Sequence, residues 1–373
     1  MEKRYSKVLS MNLQKTIEED GFSIRIFHLP EDPANANRIK ISFDDIAIEL
    51  LPSKGLSLGQ AWVNGKPVFW EAPISLPDTE TIDLWSDEVS INGNPAPGFT
   101  FLKTLVAGVE LYGLNNWGMP VEKNGKLELL HGETSNIPVD EVSYSIEEGI
   151  LTIMASFSYR TFDGDAHKPW YQRGEALYKV TKKVILKKGA LEIKLEDTIE
   201  NISNRSLTPD WGYHITFRAE EGAQVIVPSA KIEVRGGGLL PENFNIWKPV
   251  ADMSKRTESG IIYKELHTTG DNKTVSVIKY PDGSFVEIIV PQVPYFQTWI
   301  CAGGKGSKEF TFKNGESLLH KNWDGIGIEI GSSALDHDGN IDKSVHYKPE
   351  LEPGQKLIIP VELKLNHKSN NNT

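Results

Sequence analysis

The chain has 373 residues, with 40 Lys plus Arg against 51 Asp plus Glu, and carries a net charge of −11. Charged residues at 24% and hydrophobic residues at 39% are ordinary globular values, which excludes a disordered chain. An acidic chain repels phosphate backbones and anionic headgroups, and no apolar run reaches the roughly 18–20 residues of a spanning helix, so neither nucleic acid nor membrane is expected as a partner.

The opening residues 1–21 are polar and lack the apolar stretch of a signal peptide. The single cysteine, Cys301, excludes an intrachain disulfide framework and a multi-cysteine metal site. A cytoplasmic protein is expected, with a mature secreted form as the alternative.

In chain order, 12–21 (NLQKTIEEDG) reads as a short helix. Residues 41–51 and 149–158 alternate with period two and read as strands. Residues 175–200 read as two long strands turning at Lys188-Gly189. Residues 242–254 could hold a second helix. Residues 274–290 form a hairpin around Asp282-Gly283, a dipeptide suited to tight hairpin turns. Alternation returns from Leu357 to Leu365. Sustained 3.6-residue spacing is almost absent, so the expected fold is all-β, a large antiparallel sandwich. The expected core comprises Ile41, Phe43, Ile46, Ile48, Leu151, Ile153, Val180, Val184, Leu191, Ile193, Leu195, Val275, Val277, Ile288 and Ile359. Residues 1–40 are expected as an extension packed on a 41–366 sandwich domain, with 367–373 a disordered tail.

Three segments carry ionisable residues inside apolar, glycine-punctuated sequence: 127–138 with His131 and Glu133, 209–217 with Asp210, Tyr213 and His214, and 323–332 with Asp324 and Glu329. In GIGIEIG, alternation places Glu329 on one strand face with Gly325 and Gly327, a carboxylate on a surface kept clear of side chains. The plain alternative for each is a solvated acid or a hydrogen-bonded core histidine.

The order of these segments resembles the galactose mutarotase (aldose 1-epimerase) superfamily, and within it an aldose 1-epimerase-like branch. The resemblance rests on 49–73 (ELLPSKGLSLGQAWVNGKPVFWEAP), TLVAGVELYGLNNWGMP at 104–120, LLHGETSNIP at 129–138, DWGYHITF at 210–217 and GIGIEIGSS at 325–333. It implies a β-supersandwich that binds a small-molecule carbohydrate in an open groove. Exposed edge strands make a homodimer possible. It further implies an isomerase that opens and closes a sugar ring by acid and base catalysis. Matched residue by residue, Glu329 is the implied general base, His214 the general acid and His131 a second histidine at the ring oxygen. A His titrating near neutrality would suit such a pair.

Sugar recognition calls for aromatic faces and planar hydrogen-bonding groups. The candidates are Asn115, Trp117, Asp210, Tyr213, Arg235, Gln297 and Trp323, with Trp211 and Trp299 as further stacking surfaces. Core packing is the alternative for each tryptophan. Arg235, just before a glycine run, could clamp an acidic sugar or form a surface ion pair. Two positions depart from the branch, which usually has Arg where this chain has Lys54 and Glu133. No cofactor is expected, but His131, Glu133, His214 and Glu329 could together hold a divalent metal, which would redirect the chemistry to a lyase or isomerase of a keto-sugar. A non-catalytic carbohydrate-binding protein is the remaining alternative. The insertion 161–173 is expected to bring Trp170, Tyr171 and Arg173 to the groove.

Overall fold

The computed structural model describes residues 6–11, 14–86, 88–91, 93–123, 125–250, 258–293, 295–301, 310–312, 324–335, 341–346 and 349–366. Their strands form two large antiparallel sheets. A nine-stranded sheet runs, in spatial order, Lys7–Leu9, Glu141–Glu147, Ile150–Arg160, Ala176–Lys187, Glu192–Asn201, Lys356–Asn366, Phe285–Pro291, Lys273–Lys279 and Gln224–Ile226. A twelve-stranded sheet runs Ser229–Val234, Glu258–Leu266, Tyr295–Cys301, Gly325–Gly331, Asp210–Arg218, Val109–Leu114, Ser57–Val63, Ile46–Leu51, Arg38–Phe43, Phe22–Phe27 and Lys15–Glu19, with Lys66–Pro67 paired beside it. Among the described residues, the helical pieces are short 3-10 turns. No described helix is long and apolar enough to cross a membrane.

Alternation produces the packing. In Ile150–Arg160, Leu151, Ile153, Ala155, Phe157 and Tyr159 turn inward while their neighbours face out. They join Val180, Val184, Ile193 and Leu363 in one core with Leu111, Ile215, Phe217, Ile326, Ile328 and Ile330 of the larger sheet. Burying each Val, Leu, Ile or Phe among them contributes roughly 1.5–3 kcal/mol.

Four expectations change. Residues 15–19 are a strand: Asp20 and Gly21 take φ of 47° and 77°, the left-handed pair that a two-residue hairpin turn needs, and the turn folds 15–19 onto 22–27. No helix occupies 242–250, where Ile246 instead bridges to Gln224; residues 251–254 lie outside the described residues. Leu191 is 37% exposed at the end of its turn. Val275 and Val277 are half-buried because Ser276 pairs with Ile288 and Thr274 with Val290, and these apolar partners fix Ser276 and Thr274 inward. The strand Arg38–Phe43 spans the expected 40/41 boundary, and residues 367–373 lie outside the described residues.

Candidate active site

The two-residue side-chain period of a strand means that register alone decides which groups meet. Glu110, His214, Glu329 and Gln297 are successive Cα partners across Val109–Leu114, Asp210–Arg218, Gly325–Gly331 and Tyr295–Cys301. Directly opposed residues share a face. Four polar side chains therefore stand in one row, on the face of the larger sheet turned away from the core. The row one residue on, Leu111, Tyr213, Ile330 and Phe296, points into the core.

Glycines on the polar face make room for rings. A Cβ on Gly327 would sit 3.3 Å from His214 Cε1, and one on Gly212 or Gly331 would lie 2.5 or 2.7 Å from the Trp117 ring. Trp117 accordingly lies fully buried on the sheet and donates from Nε1 to the Ser333 carbonyl at 3.3 Å.

His131 reaches this face from a loop. It has φ of 57° and is followed by Gly132 at 67°. The strain of a left-handed non-glycine residue, roughly 1–3 kcal/mol, is offset by anchors on both sides. The His131 N–H donates to the Gly118 carbonyl at 3.1 Å, and Gly113 N–H donates to the His131 carbonyl at 2.9 Å. The ring stacks on Tyr112 with centroids 5.0 Å apart at 11°, and its centroid is 6.2 Å from that of His214. Nδ1 is 2.6 Å from the Trp117 carbonyl oxygen, which can only accept. Nδ1 therefore carries the hydrogen, and in the neutral ring Nε2 is an acceptor.

His214 is held at both nitrogens. Nδ1 is 2.9 Å from Thr216 Oγ1, and Nε2 is 3.6 Å from Glu329 Oε1. Gln297 Nε2 donates to the other carboxylate oxygen at 3.5 Å. Burial, with His131 adding to it, pushes His214 down to about 3. Burial pushes His131 down to about 4; the bond to the Trp117 carbonyl opposes this and the Arg235 charge reinforces it. Both rings are neutral at pH 7, which corrects the expectation of titration near neutrality. Burial and the nearby Glu110 and Glu329 charges raise the Tyr112 phenol well above its ordinary value, so it stays protonated.

Beyond His214 the row ends in a buried ion pair. Lys54 and Glu110 are both fully buried, with Nζ 3.2 Å from Oε2. Lys54 also donates to the Thr104 carbonyl at 2.7 Å and to Asn136 Oδ1 at 2.9 Å. Glu110 Oε1 accepts from the backbone N–H groups of Ala107 and Val106. Burial lowers the Lys54 pKa and the Glu110 charge opposes the shift. Lys54 is thus committed to the fold rather than displayed to a ligand.

Of the residues singled out in the sequence, His131, His214, Glu329 and Gln297 come together. Trp117 walls the site beneath His131, their rings stacked with centroids 6.0 Å apart. Arg235 lies over the Trp299 ring at 4.3 Å. Asp210 is buried and accepts from Ser333 Oγ at 2.8 Å and Ser332 Oγ at 3.2 Å, fastening two strand ends. Asn115 donates to Glu128. Tyr213 faces the core and donates to Asp197 at 2.5 Å, and Trp211 also packs in the core; neither faces the row. Trp323 lies outside the described residues.

Glu133 does not join His131. The left-handed step at 131–132 breaks the strand on which the two would share a face, and Glu133 turns to Arg173, 3.3 Å away in a buried pair. Burial raises the Glu133 pKa to about 8 against the pull of Arg173. Among the described residues, no three His, Cys, Asp or Glu side chains gather closely enough to hold a metal ion. Trp170 is buried in the core with the Arg173 guanidinium 3.6 Å above its ring, while Tyr171 is exposed. The sequence reading missed Glu110, Tyr112 and Thr216. The first two were signalled by VELYGL, in which they alternate with Val109, Leu111 and Gly113.

Residues 35–307 match the family described as a domain of unknown function, DUF4432, and the chain belongs to that family. No curated protein matches it in sequence. Among solved structures it is similar to a candidate aldose 1-epimerase of Klebsiella pneumoniae, with 17% identity over 98% of this chain and 88% of that one at a TM-score of 0.72. It is also similar to a candidate mutarotase of Salmonella typhimurium, with 10% identity, 95% and 97% coverage and a TM-score of 0.57. A galactose mutarotase-like protein of Clostridium acetobutylicum gives 15% identity, 92% and 98% coverage and a TM-score of 0.53. The fold is therefore galactose mutarotase-like, an all-β sandwich.

Proposed function

We propose that the protein is an aldose 1-epimerase-like isomerase that opens and recloses the ring of a free sugar. The observation that carries this reading is the Glu329–His214 pair, 3.6 Å apart on a face cleared by glycine, with the His131 ring beside it. Anomer exchange needs one proton removed from the O1 hydroxyl and one delivered to the ring oxygen O5. The Glu329 carboxylate, oriented by Gln297, takes the O1 proton as the C1–O5 bond breaks. Neutral His214, with hydrogen on Nε2, donates a hydrogen bond to the charge developing on O5, as a neutral imidazole can in a water-poor site. Glu329 then passes its proton to O5, giving the open aldehyde. Rotation about C1–C2 and the reverse transfers close the other anomer. His131, an acceptor at Nε2, holds a sugar hydroxyl.

This reading changes the sequence expectation for His214 from proton donor to hydrogen-bond donor, because its low pKa leaves little imidazolium at neutral pH. The withdrawal of Glu133 to Arg173 takes away the residue that motivated a metal-dependent lyase. The test is anomer exchange followed by NMR on a panel of free sugars. A positioned acid or base contributes about 10²–10⁴-fold, and Glu329→Gln should lose that much. Wild-type exchange no faster than buffer on every sugar, or an unimpaired Glu329→Gln, would refute the assignment.

A further inference from the structure

We infer that the sugar this site accepts carries an anionic substituent, held by Arg235. The inference rests on the reading of the face as a sugar site and adds the substrate class.

Its basis is where Arg235 lies and what it lacks. Gly260, Trp299 and Gly327 are successive Cα partners, a row on the same face as Glu329 and adjacent to it. Gly260 has no side chain, and the Arg235 Cβ and Cδ lie 3.0 and 3.2 Å from where its Cβ would be. The Arg235 stem therefore crosses the sheet over Gly260, and its guanidinium stacks 4.3 Å over Trp299. Trp299 in turn borders the gap at Gly327 into which the His214 ring fits, since a Cβ there would stand 3.3 Å from each. Arg235, Trp299, His214 and Glu329 form one continuous surface. The depression of the His131 pKa by the Arg235 charge is consistent with that proximity.

Other partly buried arginines in the described residues have acceptors. Arg38 binds Asp32 and Glu49 at 2.6 and 2.7 Å, Arg173 binds Glu133, Arg218 binds Glu220, and Arg160 donates to the carbonyls of Arg173 and Gly174. The Arg235 guanidinium has a ring beneath it and, among the described residues, neither an ion pair nor a hydrogen bond. A half-buried planar fork without a counter-charge, in a chain of net charge −11, fits a carboxylate or phosphate supplied by a ligand. The other cation of the candidate motifs, Lys54, is sealed against Glu110. Space is available beyond Arg235: a Cβ at Gly236, Gly237 or Gly238 would meet nothing within 4 Å.

The experiment has two readouts. Binding is measured by titration calorimetry on the Glu329→Gln protein with galacturonate, glucose 6-phosphate, and neutral galactose and glucose. Anomer exchange on the same sugars is measured by NMR with wild type. At least one acidic sugar should bind tenfold or more tightly than its neutral parent, and added salt should weaken it. Arg235→Gln should erase that preference, weakening the acidic sugar about 10–100-fold, as expected for a charge-assisted hydrogen bond; Arg235→Lys should restore part of it. The carboxylate and phosphate arms identify which anion the fork takes. Equal or tighter binding of neutral sugars, or an Arg235→Gln loss of the same size on every sugar, would overturn the inference. Exchange confined to neutral sugars would sink it and leave the isomerase reading standing. Arg235-dependent binding of an acidic sugar with no exchange would support it and sink the isomerase reading.

Discussion

Replacing Lys54 by methionine removes a charge from a place water does not reach. Lys54 and Glu110 both have 0% exposure. The substitution takes from Glu110 its cation at 3.2 Å, from the Thr104 carbonyl a donor at 2.7 Å and from Asn136 Oδ1 a donor at 2.9 Å. The two backbone N–H groups on Oε1 remain, so the carboxylate keeps part of its solvation. Breaking one side of a buried ion pair costs about 3–5 kcal/mol, a large share of the roughly 5–15 kcal/mol by which proteins are stable. Lys54→Met should lose that amount in urea denaturation at pH 7 followed by tryptophan fluorescence. The double variant Lys54→Met, Glu110→Gln should recover most of the loss, because the buried charge goes with its partner. Lys54→Arg should also destabilise, since a longer planar head must enter a filled site, costing about 1–3 kcal/mol. A single variant within about 1 kcal/mol of wild type, or a double variant no better than the single, would refute the reasoning.

Three other outcomes follow from the same geometry. The His214 Cε1 proton should show no titration between pH 8 and 5 by NMR; a midpoint near 6.5 would contradict the burial argument. Because His214 and His131 are depressed to about 3 and 4 in the folded protein, the unfolded chain takes up protons first as pH falls below about 6.5. The stability these neutral rings contribute is complete above that pH and is lost progressively towards pH 3–4, by on the order of several kcal/mol. Gly113→Ala should be severely destabilising, since Gly113 has φ of 90° and its Cβ would lie 2.0 Å from the Asp210 carbonyl oxygen; a thermal midpoint within about 2 °C of wild type would show that the strand can move aside.

The long strands were legible because alternation is a local signal. The turns at Lys188-Gly189 and Asp282-Gly283 were legible because each falls between two such runs. The hairpin at Asp20-Gly21 was also written in the sequence, but the Lys and Glu around it favour helix in isolation and pairing overrode them. Tyr213 and His214 are consecutive on one strand, whose period sends them to opposite faces, so only His214 joins the site and Tyr213 lies in the core. The position of Glu133 turned on the left-handed step at His131 and Gly132, which interrupts the alternation that would have put His131 and Glu133 on one face. The fate of Lys54 was not legible, because it depends on Glu110 and Asn136, partners that only the assembled fold brings near.

The strand bearing His214 is flanked by Val109–Leu114, made before it, and by Gly325–Gly331, made well after it. A nascent chain on the ribosome can therefore carry both imidazoles long before it has Glu329 to set against them. Fragments ending before Glu329 would carry the aromatic bed without its base. Pairing so distant in sequence also closes slowly, so on refolding, chemical competence should be among the last properties to return.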